Sequence, residues 1–264
     1  MSNKINAKGK IIAFVNQKGG VGKSTLTTNV AAALSQKYRV LLLDTDSQGS
    51  SEDWGVARIN KLHAKNSVRG FSKHYRGIKK ATEVTMDLEE IASSYDVVVV
   101  DTPGRNELIS LGVIAAANLV VIPLTPGNFS FWSSEVTREL IQKVAAARPD
   151  DFAARLLLNM RDKRRKISNE AEKLLKELEI TVMRTSVGNR NIFESSSEGL
   201  SVLELSARTV SDREGQRELD ELVAEIEEIL GFSAAKEIAS TRKKSNSKKA
   251  ATMETAQKQK AFNN

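Results

Sequence analysis

The stretch that most constrains the fold is "KGGVGKST" at residues 18 to 25, which follows the apolar run "IIAFVNQ" and opens an amphipathic segment beginning near Thr25. A glycine-rich loop between a strand and a helix, ending in Lys-Ser, is built to curl backbone N–H groups around phosphate oxygens. The helix N-terminus adds positive potential, Lys23 reaches the β- and γ-phosphates, and the Ser24 hydroxyl is a magnesium ligand. Gly19, Gly20, Val21, Gly22 and Thr25 complete the predicted nucleotide cradle. Lys18 is a second cation that such a loop does not require.

The rest of the chain repeats that strand–helix unit. Apolar runs of strand length recur at Ile11–Val15, Arg39–Asp44, Asp96–Asp101, Asn118–Pro123, Arg155–Asn159 and Ile180–Arg184. Continuous apolar runs suit strands of a parallel sheet buried on both faces. Between them lie stripes at helical spacing: Leu26, Val30, Ala33 and Leu34; Ile167, Ala171, Leu174, Leu175 and Leu178; and Leu219, Leu222, Val223, Ile226, Ile229 and Leu230. The alternation predicts an α/β fold, a doubly wound, mostly parallel sheet with helices on both faces. A short extension covers residues 1–10, the domain runs over 11–232 and closes near Gly231, and residues 233–264 form a basic tail without apolar periodicity.

Ligands of such sheets bind outside the carboxyl ends of the strands. Asp101, ending "VVVVD", and Asp44 with Asp46, in "LLLDTDSQ", should therefore converge on the loop. Alternation along the strand end would point Asp44 and Asp46 the same way. Asp101 can hold the magnesium through water beside Ser24, and one of Asp44 and Asp46 can stabilise the metal shell while the other orients an attacking water.

The 264 residues contain no cysteine, which excludes disulfides, thiolate metal sites and iron–sulfur ligation. A polar start and the lack of an apolar run long enough to span a bilayer predict a cytoplasmic protein. The net charge of +7 is concentrated: the tail carries eight Lys/Arg and two Glu, and Ala57–Lys80 carries eight Lys/Arg, both histidines and no acid. Charge polarised in this way predicts a polyanionic partner. Lys73, Arg76, Lys79, Lys80, Arg164, Arg165, Arg190, Arg242, Lys243 and Lys244 are candidate DNA contacts, made through phosphates without sequence readout.

"KGGVGKST", "VLLLDTDSQGS" and "VVVVDTPG", in that order, resemble the deviant phosphate-loop ATPases of the ParA and MinD group, over nearly all of residues 10 to 232. The resemblance implies that Lys18 reaches across a nucleotide-sandwiched homodimer to the partner's phosphates, so that dimerisation depends on ATP and Mg2+. It makes Lys18, Lys23 and Asp46 the catalytic set, with Asp46 positioning the attacking water and Ser24, Asp44 and Asp101 forming the magnesium environment. It also implies that Asn159 and the loop Val187–Arg190 pack on adenine. Ser47 stands where the group commonly has proline. The segment "IPLTPGNFSFWSSEVTRELI", with Pro126 and Trp132, resembles the small ParA pattern, and there is no room before Ile11 for a helix-turn-helix domain. The tail lacks the apolar face of a MinD-like membrane helix, so no membrane partner is expected. The implied function is an ATPase, weak until a ParB-like or centromere-binding protein stimulates it, that holds nonspecific DNA and segregates plasmids, chromosomes or other cargo on the nucleoid. A MinD-like membrane-associated ATPase and a conjugation-linked relative are the alternatives.

Overall fold

The structure, a computed structural model, describes residues 9–62, 68–72, 75, 79–104, 106–125, 142, 152–162 and 180–232. Two compact units divide the chain, one through Glu225 and one from Ile226; the fold and site below belong to the first. The expected helix over Ile167–Leu178 and the Pro126 and Trp132 pattern lie outside the described residues.

Seven parallel strands form one sheet in the order β3-β2-β4-β1-β5-β6-β7. They are β1 (Lys10–Phe14), β2 (Val40–Asp44), β3 (Val68–Ser72), β4 (Val97–Asp101), β5 (Leu119–Leu124), β6 (Ala153–Arg161) and β7 (Val182–Gly188). The helices are α1 (Lys23–Ser35), α2 (Ser50–Leu62), α3 (Ala81–Ala92), α4 (Glu107–Ala116), α5 (Asn191–Ser195) and α6 (Val210–Ile229). Six strands are those the apolar runs predict. β3 is not: "VRGFS" sits inside the basic stretch, carries a glycine, and among the described residues pairs with β2 alone, at the sheet edge.

The centre of the sheet explains its own stability. Val97, Val98, Val99 and Val100 are all fully buried, and each contributes roughly 1.5–3 kcal/mol relative to exposure. β-branched side chains are stiff and pack well on a pleated surface covered on both sides. Register does the rest: Phe14 pairs with Asp101, and Asp101 pairs with Asp44. The loop after β1 and the two strand-end carboxylates thus leave the sheet at one level.

On one face α3 and α4 pack through Gly112, whose carbonyl accepts from Thr85 Oγ1 at 3.0 Å. A Cβ at Gly112 would fall 2.5 Å from the Ala81 carbonyl oxygen and 2.6 Å from Val84 Cβ. In an open helix, alanine is favoured over glycine by about 1 kcal/mol. Here overpacking reverses the sign. Gly112→Ala should lower stability by about 1–3 kcal/mol in urea unfolding; equal or greater stability would mean that the two helices do not approach this closely.

Candidate nucleotide site

The phosphate loop owes its shape to two glycines in the left-handed region, Gly20 (φ 74°) and Gly22 (φ 83°), the latter capping α1. Gly22 is needed twice over, because a Cβ there would stand 2.4 Å from Asn159 Nδ2. Asn159, buried at the end of β6, donates from Nδ2 to the Val21 carbonyl at 2.8 Å. It therefore braces the loop from outside, a role that its reading as a base contact does not contain. Asn16 Oδ1 accepts the Lys18 N–H at 2.8 Å, and its Nδ2 donates to the Pro123 carbonyl at 2.8 Å, which ties the loop's entry to β5.

Lys23 begins α1, and burial lowers its pKa against the opposing pull of Asp101 and then Asp46. Its Nζ would lie 3.8 Å from a Cβ built on Gly104, which places the ammonium beside the loop leaving β4. Asp101 is 1% exposed. Burial pushes its carboxyl up to about 6, offset by the nearby Ser24 and Ser51 hydroxyls and by Lys23. Ser51 Oγ donates to Oδ2 at 2.7 Å. Among the described residues, Oδ1 is buried with no hydrogen-bond partner. A buried, partnerless carboxylate oxygen is costly, and beside Ser24 it suits a metal-bound water.

Asp44 is at the expected place with a different occupation. Its Oδ1 accepts the Asp46 N–H at 2.9 Å, and its Oδ2 accepts the N–H groups of Ser51 at 2.8 Å and Glu52 at 3.0 Å. Burial raises its pKa, opposed by these same backbone bonds. These bonds cap α2, since the Ser51 and Glu52 N–H groups at the start of the helix have no intrahelical acceptor. Asp46 lies beyond β2, so strand alternation does not set its direction as expected. Half-buried, it accepts the Gln48 N–H through Oδ1 at 3.1 Å in a turn closed by Gly49 N–H donating to its carbonyl at 3.1 Å.

A cavity of about 310 Å3 opens beside the loop, lined in part by Gly22, Thr25, Asn159, Met160, Asn189 and Phe193. Asn159 and the Val187–Arg190 loop therefore share one cavity with the phosphate loop. Met160, which the sequence reading passes over, is the one non-glycine described residue with positive φ (53°). Its conformation coincides with a break in the β6–β7 register between Leu158 and Arg161.

Of the predicted DNA contacts, Lys79 and Lys80 are exposed at the start of α3. Arg190 is committed elsewhere: Nε and Nη2 grip Glu218 at 3.0 and 2.8 Å, and Nη2 pairs with Glu214 at 2.6 Å. Its guanidinium thus ties the cavity wall to α6. Lys73, Arg76, Arg164, Arg165, Arg242, Lys243 and Lys244 lie outside the described residues. Within the basic stretch, Arg58 is buried against Glu204 and Lys61 pairs with Glu198, so these two cations are internally compensated.

With this geometry established, comparison with known proteins is decisive. The CobQ/CobB/MinD/ParA nucleotide-binding domain family matches residues 12–202. The chain belongs to that family. It is 30% identical over 217 residues to the maintenance of carboxysome distribution protein A of Halothiobacillus neapolitanus, covering 81% of this chain and 95% of that protein. It is 28% identical to the chromosome-partitioning ATPase Soj of Treponema pallidum, covering 82% and 98%. In fold it resembles a Cyanothece McdA variant solved with ATP, at TM-score 0.62 and 16% identity over 85% of this chain and 97% of that one. Among the described residues no helix is long and apolar enough to cross a membrane.

The buried Asp101 gives a pH test. Its folded pKa of about 6 lies above the ordinary 3.8. The folded state then binds more protons between those values, so stability falls as pH rises through that window. In nucleotide- and magnesium-free protein, Asp101→Asn should unfold at higher urea than wild type at pH 8, by about 2–3 kcal/mol. The gap should close as pH falls below about 4. A pH-independent difference would contradict the assignment.

Proposed function

We propose that the chain is a ParA-like ATPase that binds MgATP, dimerises on it, holds DNA without sequence preference as the dimer, and releases it after hydrolysis stimulated by a partner protein. The observation that carries this reading is the convergence of Lys23, Ser24 and the open Oδ1 of Asp101 at the foot of a glycine loop in a family of nucleotide-binding domains. Magnesium keeps most of its water and is typically bound through one or two carboxylates plus phosphate oxygens. The residues present fit that demand: Ser24 would hold the ion directly and Asp101 through water, and the ion would neutralise charge developing between the β- and γ-phosphates.

The chain's own groups divide the remaining work. The loop amides and Lys23 bind and orient the phosphates. Asp46, held in its turn by Gln48 and Gly49, orients the attacking water. Lys18, at the loop entry, serves the second protomer's phosphates, so loss of the γ-phosphate loosens the dimer. Asn159 holds the loop to the cavity that would take adenine. The cargo is a large body, in line with the relatives named for carboxysome distribution and chromosome partitioning, and it is moved over the nucleoid. Exposed Lys79 and Lys80, with the basic tail, would meet DNA phosphates.

The test is binding of the purified chain to unrelated DNA and to anionic liposomes, each with ADP, ATP and a slowly hydrolysed ATP analogue. The account expects DNA binding with ATP or the analogue, its loss with ADP, and no liposome binding. Liposome binding without DNA binding would move the chain to a membrane-associated role, and DNA binding indifferent to nucleotide would remove the switch.

A further inference from the structure

The buried side of α2 consists of Ser51, Trp54 and Arg58, at spacings of three and four residues along one helical face. Every one of them hydrogen-bonds away from its own helix. Ser51 donates its hydroxyl to Asp101 Oδ2 at 2.7 Å and its N–H to Asp44 Oδ2 at 2.8 Å, so that it touches both strand-end carboxylates. Trp54 Nε1–H donates to the Ser196 carbonyl at 2.8 Å. Arg58 donates to the Gly199 carbonyl at 3.2 Å and to both oxygens of Glu204 at 2.6 and 2.8 Å, with its guanidinium 5.1 Å from the Trp54 ring centroid. Asp44 caps one end of the helix, and the 196–204 segment clamps its buried side. A donor mounted on an element anchored at so many points cannot drift from its acceptor.

We propose that Ser51 is a positioning residue for magnesium: its hydroxyl occupies Asp101 Oδ2 and so turns the partnerless Oδ1 toward the metal's water shell. The inference rests on the nucleotide-site reading above and adds to it a residue outside the phosphate loop and the strand-end aspartates. Groups of this kind, which orient a metal's ligand without touching the metal, typically matter by about 10- to 100-fold in metal affinity. Ser51 is 1% exposed, so its hydroxyl's bond to Asp101 is shielded from bulk solvent.

The test uses the full chain and a fluorescent ADP analogue, titrated with magnesium chloride and, separately, measured in EDTA. Ser51→Ala should need about 10- to 100-fold more magnesium for half-maximal strengthening of ADP binding, while affinity in EDTA stays at the wild-type value. Ser51→Cys, nearly isosteric and a weak donor, should fall between, and it keeps the test open if the alanine variant folds poorly. A merely structural Ser51 would shift the thermal midpoint and leave the magnesium midpoint in place, which overturns the proposal. Wild-type ADP binding that ignores magnesium also overturns it, whereas failure of wild type to bind ADP under any condition would overturn the nucleotide reading itself.

Discussion

The site depends on the shared register of three parallel strands. Pairing of Phe14 with Asp101 and of Asp101 with Asp44 brings the exits of β1, β4 and β2 to one level at the carboxyl edge of the sheet. Because β4 is buried on both faces, a slip of one residue is resisted at its ends, where it would draw the charged Asp96 or Asp101 into a position held by valine. The glycine loop, the metal carboxylate and the α2 cap meet because the hydrophobic core leaves those strands no other alignment. Chemistry at the edge is thus a consequence of packing in the middle.

Around that edge, charge and hydrogen bonding are distributed unevenly. Asp44 accepts three backbone N–H groups and holds α2, while among the described residues Asp101, as buried, keeps one oxygen without a hydrogen-bond partner. Lys23 is lowered in pKa by burial yet faces Asp101 and Asp46, so its ammonium is desolvated and partly neutralised before any phosphate arrives. A nucleotide with its magnesium would supply to this region what it lacks: anionic oxygens for Lys23 and the loop amides, and a cation shell for Asp101.

Much of this was legible in the residues. Long β-branched runs and a glycine loop before a helix are local signals that tertiary context rarely overrides, and six of the seven strands and the phosphate loop follow from them. What was hidden depended on partners distant in sequence. "VRGFS" looks like basic loop, and it is the pairing with β2, distant in sequence, that makes it a strand. Arg58 and Arg190 look like surface cations until Glu204 and Glu218, 146 and 28 residues away, are brought against them. Asp44 reads as a strand-end acid, and only the fold of residues 46–52 shows its oxygens accepting from backbone N–H groups. Asn159 sits at a strand end where a base contact and a brace are equally compatible with the sequence, and the 2.8 Å bond to Val21 reveals the brace.

The central claim is that the loop at residues 18–25 holds the phosphates of a nucleotide through Lys23. Isothermal titration of MgATP into wild type and Lys23→Met tests it most directly, since methionine preserves an unbranched side chain while removing the cation. The account predicts saturable one-to-one binding by the wild-type chain and at least about a ten-fold loss in the variant, the scale set by one charge-assisted hydrogen bond of roughly 1.5–3 kcal/mol. Equal affinity in the two proteins would contradict it.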